Sequence, residues 1–400
     1  VTNSASVEAS SSDTEGNAAN NTDTEATTVI QRTTMTTVSC TPASVVVNEP
    51  TVCTATVTDT DQGQKADPTG TVTFSAAPAA SGTFSAPGAT CTLNPDSSLS
   101  TYTSSCTVTY EPTNNAGTHV LTGTYDEASS PLHKTSNGAF SLSVGKRATA
   151  TTLTCTPLVV QIGQTITCKA TVTDVEPAGT KTNPQGTVTF SPPGTTASCT
   201  LASDPSYTDR SSCSITYVSA TADVIGVVAT YGGSNVHKPS TSDRLPIVFY
   251  DPSGGFVTGG GYIMQSPTMA PSGFPIGKNN YGFVAKYVKN SSVPQGEMEF
   301  QCKVCGFNFH GKTYDWLVIK TLSDGRKHAQ AQGSGTVNGV GDYGFIVTVI
   351  DGGNKPDYFR IRIWNKTTGL TFYDSQPPSS DDTQLPATLS EGGNIVIHAK

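Results

Sequence analysis

The chain is 400 residues long, 35% hydrophobic and 14% charged, with a formal net charge of −8. That balance speaks against a nucleic-acid binder, which needs clustered Lys and Arg, and against a disordered chain, which needs high charge and few β-branched residues. No apolar run approaches the ~20 residues of a membrane-spanning helix, and no stretch sustains helical apolar spacing at i, i+3, i+4 and i+7.

Thr and Ser fill the space that charge leaves. They suit sheets with one buried face and one face of small hydroxyls. The 38 Gly and 25 Pro serve turns. The expected class is therefore all-β, in about three domains on the usual size range.

Residues 1–31 read as two short alternating strands, Val1-Thr-Asn3-Ser-Ala5-Ser-Val7 and Asn20-Asn21-Thr-Asp-Thr-Glu-Ala26-Thr-Thr-Val29, around an acidic loop. Residue 1 already lies in a strand-like segment. The expectation is a mature or truncated piece of something longer, with no signal peptide in view. The segment resembles the tail of a prokaryotic surface-protein Ig-like repeat ending T-N-x-A-x-V … D … N-N-x-A, over its last two strands only. Two strands are not a stable unit. Either the missing strands lie upstream, or the arm joins another chain by strand addition, or it is a loose end. As an inter-subunit arm its pocket-filling residues would be Val1, Ala5, Val7, Ala26 and Val29.

Residues 32–146 are then written again as residues 147–249. Thr37-Val-Ser-Cys40-Thr-Pro42 returns as Thr152-Leu-Thr-Cys155-Thr-Pro157, and Cys53-Thr-Ala-Thr-Val-Thr-Asp59 as Cys168-Lys-Ala-Thr-Val-Thr-Asp174. Pro68-Thr-Gly70-Thr-Val-Thr-Phe74 returns as Pro184-Gln-Gly186-Thr-Val-Thr-Phe190. Such self-similarity marks strung modules. The offset shrinks from 115 positions at Cys40 and Cys155 to 107 at Cys106 and Cys213. The loss falls chiefly between Phe74 and Cys91, so strands are kept while a connection shortens. Each copy has about seven short alternating segments between turn signals, the sandwich pattern. Through C-T-A-T-V-T-D, P-x-G-T-V-T-F and G-T-H-x-L-T-x-T-Y the copies resemble group-3 bacterial Ig-like domains, a family that implies non-catalytic stalk and adhesion modules. The second copy departs from it where Gly226-Val-Val stands for Gly-Thr-His. Lys146-Arg147 and Leu245-Pro246 read as short joints without Gly/Ser spacers, which restrains neighbouring modules.

Eight of the ten cysteines fall in close pairs: Cys40/Cys53, Cys91/Cys106, Cys155/Cys168 and Cys199/Cys213. Regular pairing in a β-rich chain reads as disulfides and an oxidising compartment; buried free thiols are the alternative. Neighbour pairing is favoured because each pair flanks a turn signal, and a closed loop of about 15 residues contributes roughly 3 kcal/mol.

Residues 250–400 gain charge and aromatics. Segments around residues 282–287, 314–319, 343–350, 358–364 and 394–398 read as longer strands, and Phe359, Ile361 and Ile363 alternate with Arg360, Arg362 and Trp364 as in a half-buried strand. V-T-G-G-G-Y-I, Y-G-F-V-A-K-Y, N-F-H-x-x-x-Y-D-W-L-V, D-x-F-R-I-R-I-W and G-G-N-I-V-I-H make this block similar to a domain at the C-terminus of bacterial secreted repeat proteins. That likeness implies architecture, of sandwich or jelly-roll-like form, and no activity.

Chemistry is sparse. Cys302-Lys-Val-Cys305 lacks the βαβ setting of a redox motif and the further ligands of a zinc site. A structural disulfide there needs a turn, because residues three apart in a straight strand sit about 10 Å apart. Asp351 and Asp357, on a Gly-rich loop, are weak calcium candidates against a plain turn. Asn20, Asn290 and Asn365 sit in sequons, glycan sites only in a host with that machinery. Leu385-Pro-Ala-Thr-Leu389 only brushes the sortase pattern L-P-x-T-G and reads as a loop. No G-x-S-x-G elbow and no H-E-x-x-H occurs. His133-Lys134 and His237-Lys238 recur in both copies, with His119 near a corresponding place, which favours structural roles.

The expectation is an all-β extracellular protein, secreted or on a cell surface: an arm (1–31), two Ig-like sandwiches (32–146, 147–249) and a C-terminal β-domain (250–400). It would be a stalk, filament or surface-layer subunit, not an enzyme, without cofactors or metal. Its partners would be other copies of itself or other surface proteins. The rival is an adhesin binding glycan or protein through its C-terminal domain, with Tyr281, Tyr314, Trp316 and Trp364 as the aromatic suspects.

Overall fold

The computed structural model describes residues 2–6, 22–26, 29–85, 87–96, 102–126, 131–192, 194–265, 275–289, 291–376 and 381–400. Among them every regular element is a strand, and no helix is long and apolar enough to cross a membrane. The chain divides into two compact units: Val1–Arg147 with Glu176–Lys181, and Ala148–Val175 with Thr182–Lys400.

The first unit holds a sandwich. One sheet orders the strands Thr34–Thr41, Thr51–Asp59, Thr103–Pro112 and Gly82–Phe84; the other orders Ser44–Val46, Ser136–Gly145, Gly117–Tyr125, Thr71–Ala77 and Thr90–Thr92. The chain leaves the first sheet at Thr41 and joins the second at Ser44, where it pairs parallel to Ser136–Gly145. Alternation decides the faces. In Thr51–Asp59 the odd positions Cys53, Ala55 and Val57 are fully buried. They meet Val72, Phe74, Leu121, Tyr125 and Leu142 from the opposite sheet, all buried. Burial of each large aliphatic or aromatic side chain contributes about 1.5–3 kcal/mol.

Two disulfides close this sandwich in different ways. Cys40 and Cys53 stand directly opposite each other on neighbouring strands of one sheet, Cα atoms 4.0 Å apart. Cys91 and Cys106 belong to different sheets and bridge the core, Cα atoms 5.7 Å apart. Tyr125 reaches back to donate its hydroxyl to the carbonyl of Thr69 at 2.8 Å, satisfying a buried polar group that would otherwise cost 1–3 kcal/mol by the usual estimate of roughly that size.

The second unit begins with the same plan. Thr149–Thr156, Thr165–Asp174, Arg210–Val218 and Ala202–Ser203 form one sheet; Val159–Gln161, Leu245–Tyr250, Asp223–Tyr231, Thr187–Ser191 and Ser198–Thr200 form the other. Cys155–Cys168 repeats the cross-strand bridge and Cys199–Cys213 the bridge between sheets. Tyr231 donates to the carbonyl of Gln185 at 2.6 Å, as Tyr125 does in the first copy. The shortened connection has a visible result: among the described residues the strand Gly82–Phe84 has no counterpart, and Thr195 donates its N–H to the carbonyl of Thr216. Leu245 and Pro246 are not a joint. They open a strand paired on both sides, because Ile247 and Phe249 behind them are drawn into the core.

Residues 255–399 make one nine-stranded antiparallel sheet. Gly255–Gln265, Gly277–Tyr287, Pro294–Cys302, Phe307–Thr321, Lys327–Val337, Val340–Asp351, Tyr358–Asn365 and Thr371–Asp374 follow as a meander, and Glu391–Ala399 returns to pair with Gly255–Gln265. The apolar face folds on itself around Phe300, Phe309, Phe345, Phe359, Ile361 and Tyr373. Tyr281 stacks on Phe359, ring centres 3.9 Å apart. The outer face is covered in part as well: Trp316, Val318 and Ile346 bury against Val248 of the second sandwich, with Val224, Tyr250 and Trp364 partly buried beside them. The strand Tyr358–Asn365 is therefore not half-buried. Arg360, expected on a wet face, is 1% exposed, held by Asp374 at 2.8 Å.

Replacing Cys91 and Cys106 together by Ala should lower the stability of the first sandwich by about 3 kcal/mol, since the bridge closes a loop of fifteen residues across two sheets. Scanning calorimetry of the full chain checks this. An unshifted transition would mean that the bridge does not constrain the unfolded sandwich.

Candidate functional site

Three groups of residues stand out as sites. The first is the N-terminal arm. Thr2–Ser6 and Thr22–Ala26 pair antiparallel as a two-stranded sheet of their own. Ala5 sits opposite Asp23 and Ala26 opposite Thr2, so the register puts Ala5 and Ala26 on opposite faces. Ala5 and Ala26 are exposed, Val29 is 71% exposed, and Val1 and Val7 lie outside the described residues. Both outer edges of the hairpin keep unpaired backbone groups among the described residues, the feature that strand addition uses.

The second group is a buried polar knot found once in each sandwich. The Asp59 carboxylate is fully buried, with the His133 imidazole 3.4 Å away and the Arg32 guanidinium bonded through both oxygens, one bond 3.0 Å long. Backbone N–H groups of Asp61 and Ala66 donate to it too. Burial by itself raises the carboxyl, but Arg32, these amides and His133 outweigh it and bring the group down to about 2. Asp174 and His237 repeat the pair, also 3.4 Å apart and buried, with the N–H of Thr182 donating to Asp174 at 3.0 Å. The histidines that recur in both copies thus sit against the buried carboxylates and tie the loop before the last strand to the central sheet. His119 is different. It accepts or donates to the Tyr110 hydroxyl at 2.9 Å and meets the carbonyl of Asn115 at 3.1 Å, and burial lowers its proton affinity.

The third group lies in the C-terminal sheet. Cys302 and Cys305 are bridged across a tight turn, Cα atoms 5.2 Å apart, with Gly306 in the left-handed region at φ +73. Asp351 and Asp357 each accept backbone amides on both carboxylate oxygens. Asp351 accepts the N–H of Gly353 on one oxygen and of Ile397 on the other, both at 2.9 Å. Asp357 accepts Gly352 at 2.9 Å and Ile395 at 2.8 Å. The pair latches the outward amides of Glu391–Ala399, an edge strand, and that need explains two acids on a Gly-rich loop. Among the described residues no group of three or more His, Cys, Asp and Glu could hold a metal ion.

Asn365 spends its side-chain oxygen on the N–H groups of Thr367 and Thr368, capping its own turn; Asn20 and Asn290 lie outside the described residues. The aromatic suspects are mostly interior: Tyr281, Tyr314 and Trp316 are buried and Trp364 is partly so. Two arrangements have no signal in sequence spacing. Arg360 and Arg362 hold Asp374 and Asp382 across the outer face, where burial raises the Asp382 carboxyl against the pull of both guanidinium groups. Asn279 donates to Gln265 at 2.7 Å and to Tyr373 at 3.1 Å inside the sheet. These partners are 14 and 94 residues apart, so only the fold joins them.

No family model and no curated protein matches this chain. Among solved structures, one described as "FdeC, a Novel Broadly Conserved Escherichia coli Adhesin Eliciting Protection against Urinary Tract Infections" aligns at 9% identity over 89% of this chain and 96% of that one, with a TM-score of 0.22. A likeness of that extent carries no argument.

Two outcomes follow from the buried carboxylates. Asp59 has a depressed pKa, so its stabilisation is complete above about pH 4 and is lost as pH falls toward 2. Asp59→Asn should cost the first sandwich about 2 kcal/mol at pH 7, with the gap to the native chain closing between about pH 4 and 2; a pH-independent gap would refute the knot. Asp357→Ala should speed hydrogen exchange at Ile395 severalfold, whereas a chelator should leave exchange there unchanged. A chelator effect equal to the substitution would return Asp351 and Asp357 to calcium.

Proposed function

We propose that this chain is an extracellular structural protein, secreted or displayed on a cell surface, that serves as a stalk, filament or surface-layer subunit. In this reading modules 32–146 and 147–249, of the bacterial Ig-like kind, and the block 250–400 follow the arm 1–31 along the chain. The observation that carries it is the duplicated bracing: each sandwich has one disulfide along a sheet and one between sheets. Such bridges persist in oxidising surroundings, and a bridge between sheets keeps a sandwich from shearing open under tension. The polar residues also favour support over turnover. The buried pairs Asp59–His133 and Asp174–His237 are spent on one another and on backbone, and they recur in both copies where a catalytic centre would be single.

The arm is the docking element in this reading. An isolated hairpin is marginal in water and gains from adding to a neighbour's sheet. The partners are other copies of the chain or other surface proteins. The adhesin alternative is weaker, since three of its four aromatic suspects are interior.

Negative-stain images of the purified chain, with and without its first thirty-one residues, test this. The full chain should form linear assemblies and the truncated chain should remain monomeric. A full chain that stays monomeric at every concentration and is retained on a glycan array would transfer the function to adhesion.

A further inference from the structure

Turns of the nine-stranded sheet alternate between its two ends, and the ends differ. At the end reached by the chain after Gln265, Cys302, Val337 and Asn365, the connections expose Ile276 (62%), Val304 (48%), Val340 (69%) and Leu370 (70%). At the other end the turns between consecutive strands expose Val293 (50%) beside charged Asp324, Arg326 and Lys355, and Leu389 (45%) of the returning loop bridges Tyr358 there.

The four aliphatic tips form one surface. Val304 lies against Gly277, next to Ile276. Asn338 donates its side-chain amide to the carbonyl of Gly306 at 3.3 Å and its N–H to Asn308 at 2.7 Å, joining the turn of Val340 to that of Val304. Lys366 donates its N–H to Asp342 at 3.1 Å, joining the turn of Leu370 to that of Val340. Beneath them Phe372 meets Phe307 and Tyr343 edge-on, 5.2 and 5.5 Å between ring centres. Charge on this end leans positive. Lys278 and Lys303 are exposed and have no ion pair among the described residues, Asp342 is paired with Lys366, and Glu391, opposite Tyr262, is a further exposed acid. Exposed aliphatics gathered on a basic rim are unusual for a free surface.

One segment of this chain has the complementary character. Residues 1–31 contain Glu8, Asp13, Glu15, Asp23 and Glu25 and no Lys or Arg. The segment closes on Val29 and Ile30, 71% and 74% exposed. We propose that the apolar, basic tip of the C-terminal sheet receives the acidic arm of a second copy. The inference rests on the reading that residues 1–31 dock on a neighbour, and it supplies the acceptor. Arm and tip are different surfaces, so the contact is heterologous, and repeated copies of it build a ring or an open chain.

The experiment uses the full chain and two variants: Val340→Asp with Leu370→Asp, and Lys303→Glu with Lys278→Glu. All four side chains are exposed, and calorimetric transitions at native temperatures establish that the variants fold. Sedimentation measures self-association over a concentration series, and fluorescence anisotropy measures binding of a labelled peptide of residues 1–31. Both variants should weaken association and peptide binding about tenfold or more. Added salt should weaken the native chain and have less effect on the lysine variant. Assembly that needs the arm but ignores both tip variants would overturn this inference and leave the proposed function standing. Absence of assembly in the native chain would remove both. Tip-dependent binding to phosphatidylglycerol vesicles, with no binding of the peptide, would overturn the inference in favour of a lipid surface.

Discussion

A β-strand has two faces, and in a chain this poor in charge the dry face must find another dry face. That single requirement arranges almost everything here. In each sandwich the alternating row Cys53, Ala55, Val57, or Cys168, Ala170, Val172, turns inward and can be satisfied only by a second sheet about 10 Å away. The C-terminal block meets the same requirement by a different route. One sheet of nine strands folds its apolar side over on itself, and the part of its outer side that carries Trp316, Val318 and Ile346 is dried by the neighbouring sandwich. Cross-links add to this packing without replacing it. The cross-strand bridge at Cys40–Cys53 joins residues the ladder already pairs, whereas Cys91–Cys106 joins two sheets that share no hydrogen-bond ladder.

Burying faces leaves polar atoms to be settled, and the chain settles them with long-range pairs. Asp59 and Asp174 are each removed from water at the end of a central strand, and each is compensated by a histidine from a loop more than sixty residues on. An isolated buried carboxylate would be strongly unfavourable. The compensation also pins the loop, so the same pair fastens the last strand to the sheet. The C-terminal sheet uses Asp351 and Asp357 to the opposite purpose. There the carboxylates reach out to the amides of an edge strand that has no further neighbour on that side, a position that otherwise invites pairing with another chain.

Set beside one another, these devices separate protected edges from offered ones. The strand Glu391–Ala399 is latched. Among the described residues the hairpin Thr2–Ser6 and Thr22–Ala26 forms a two-stranded sheet of its own. The loop tips around Val340 and Leu370 leave apolar surface in water although the same domain buries an aromatic cluster a few ångströms beneath.

What could be read from the residues alone was whatever depends on short-range order. The all-β class, the duplication and the turn-flanking cysteines are local patterns, and period two survives in Thr71–Ala77 or Phe359, Ile361, Ile363 without knowledge of any partner. What the residues alone could not disclose depends on distant neighbours. Lys327–Val337 has little strand propensity in its Ala, Gln, Gly and Ser, yet it is a central strand. It is one because its neighbours demand small residues: a Cβ on Gly333 would stand 1.9 Å from the carbonyl oxygen of Thr313. Arg360 looked wet by alternation and is dry because Asp374 and Asp382 arrive from another strand and a following loop. Hairpin register places the arm's two alanines on opposite faces, which neither strand shows by itself. Alternation fixes which way a side chain points, but what it points at is decided only when strands far apart in the chain come together.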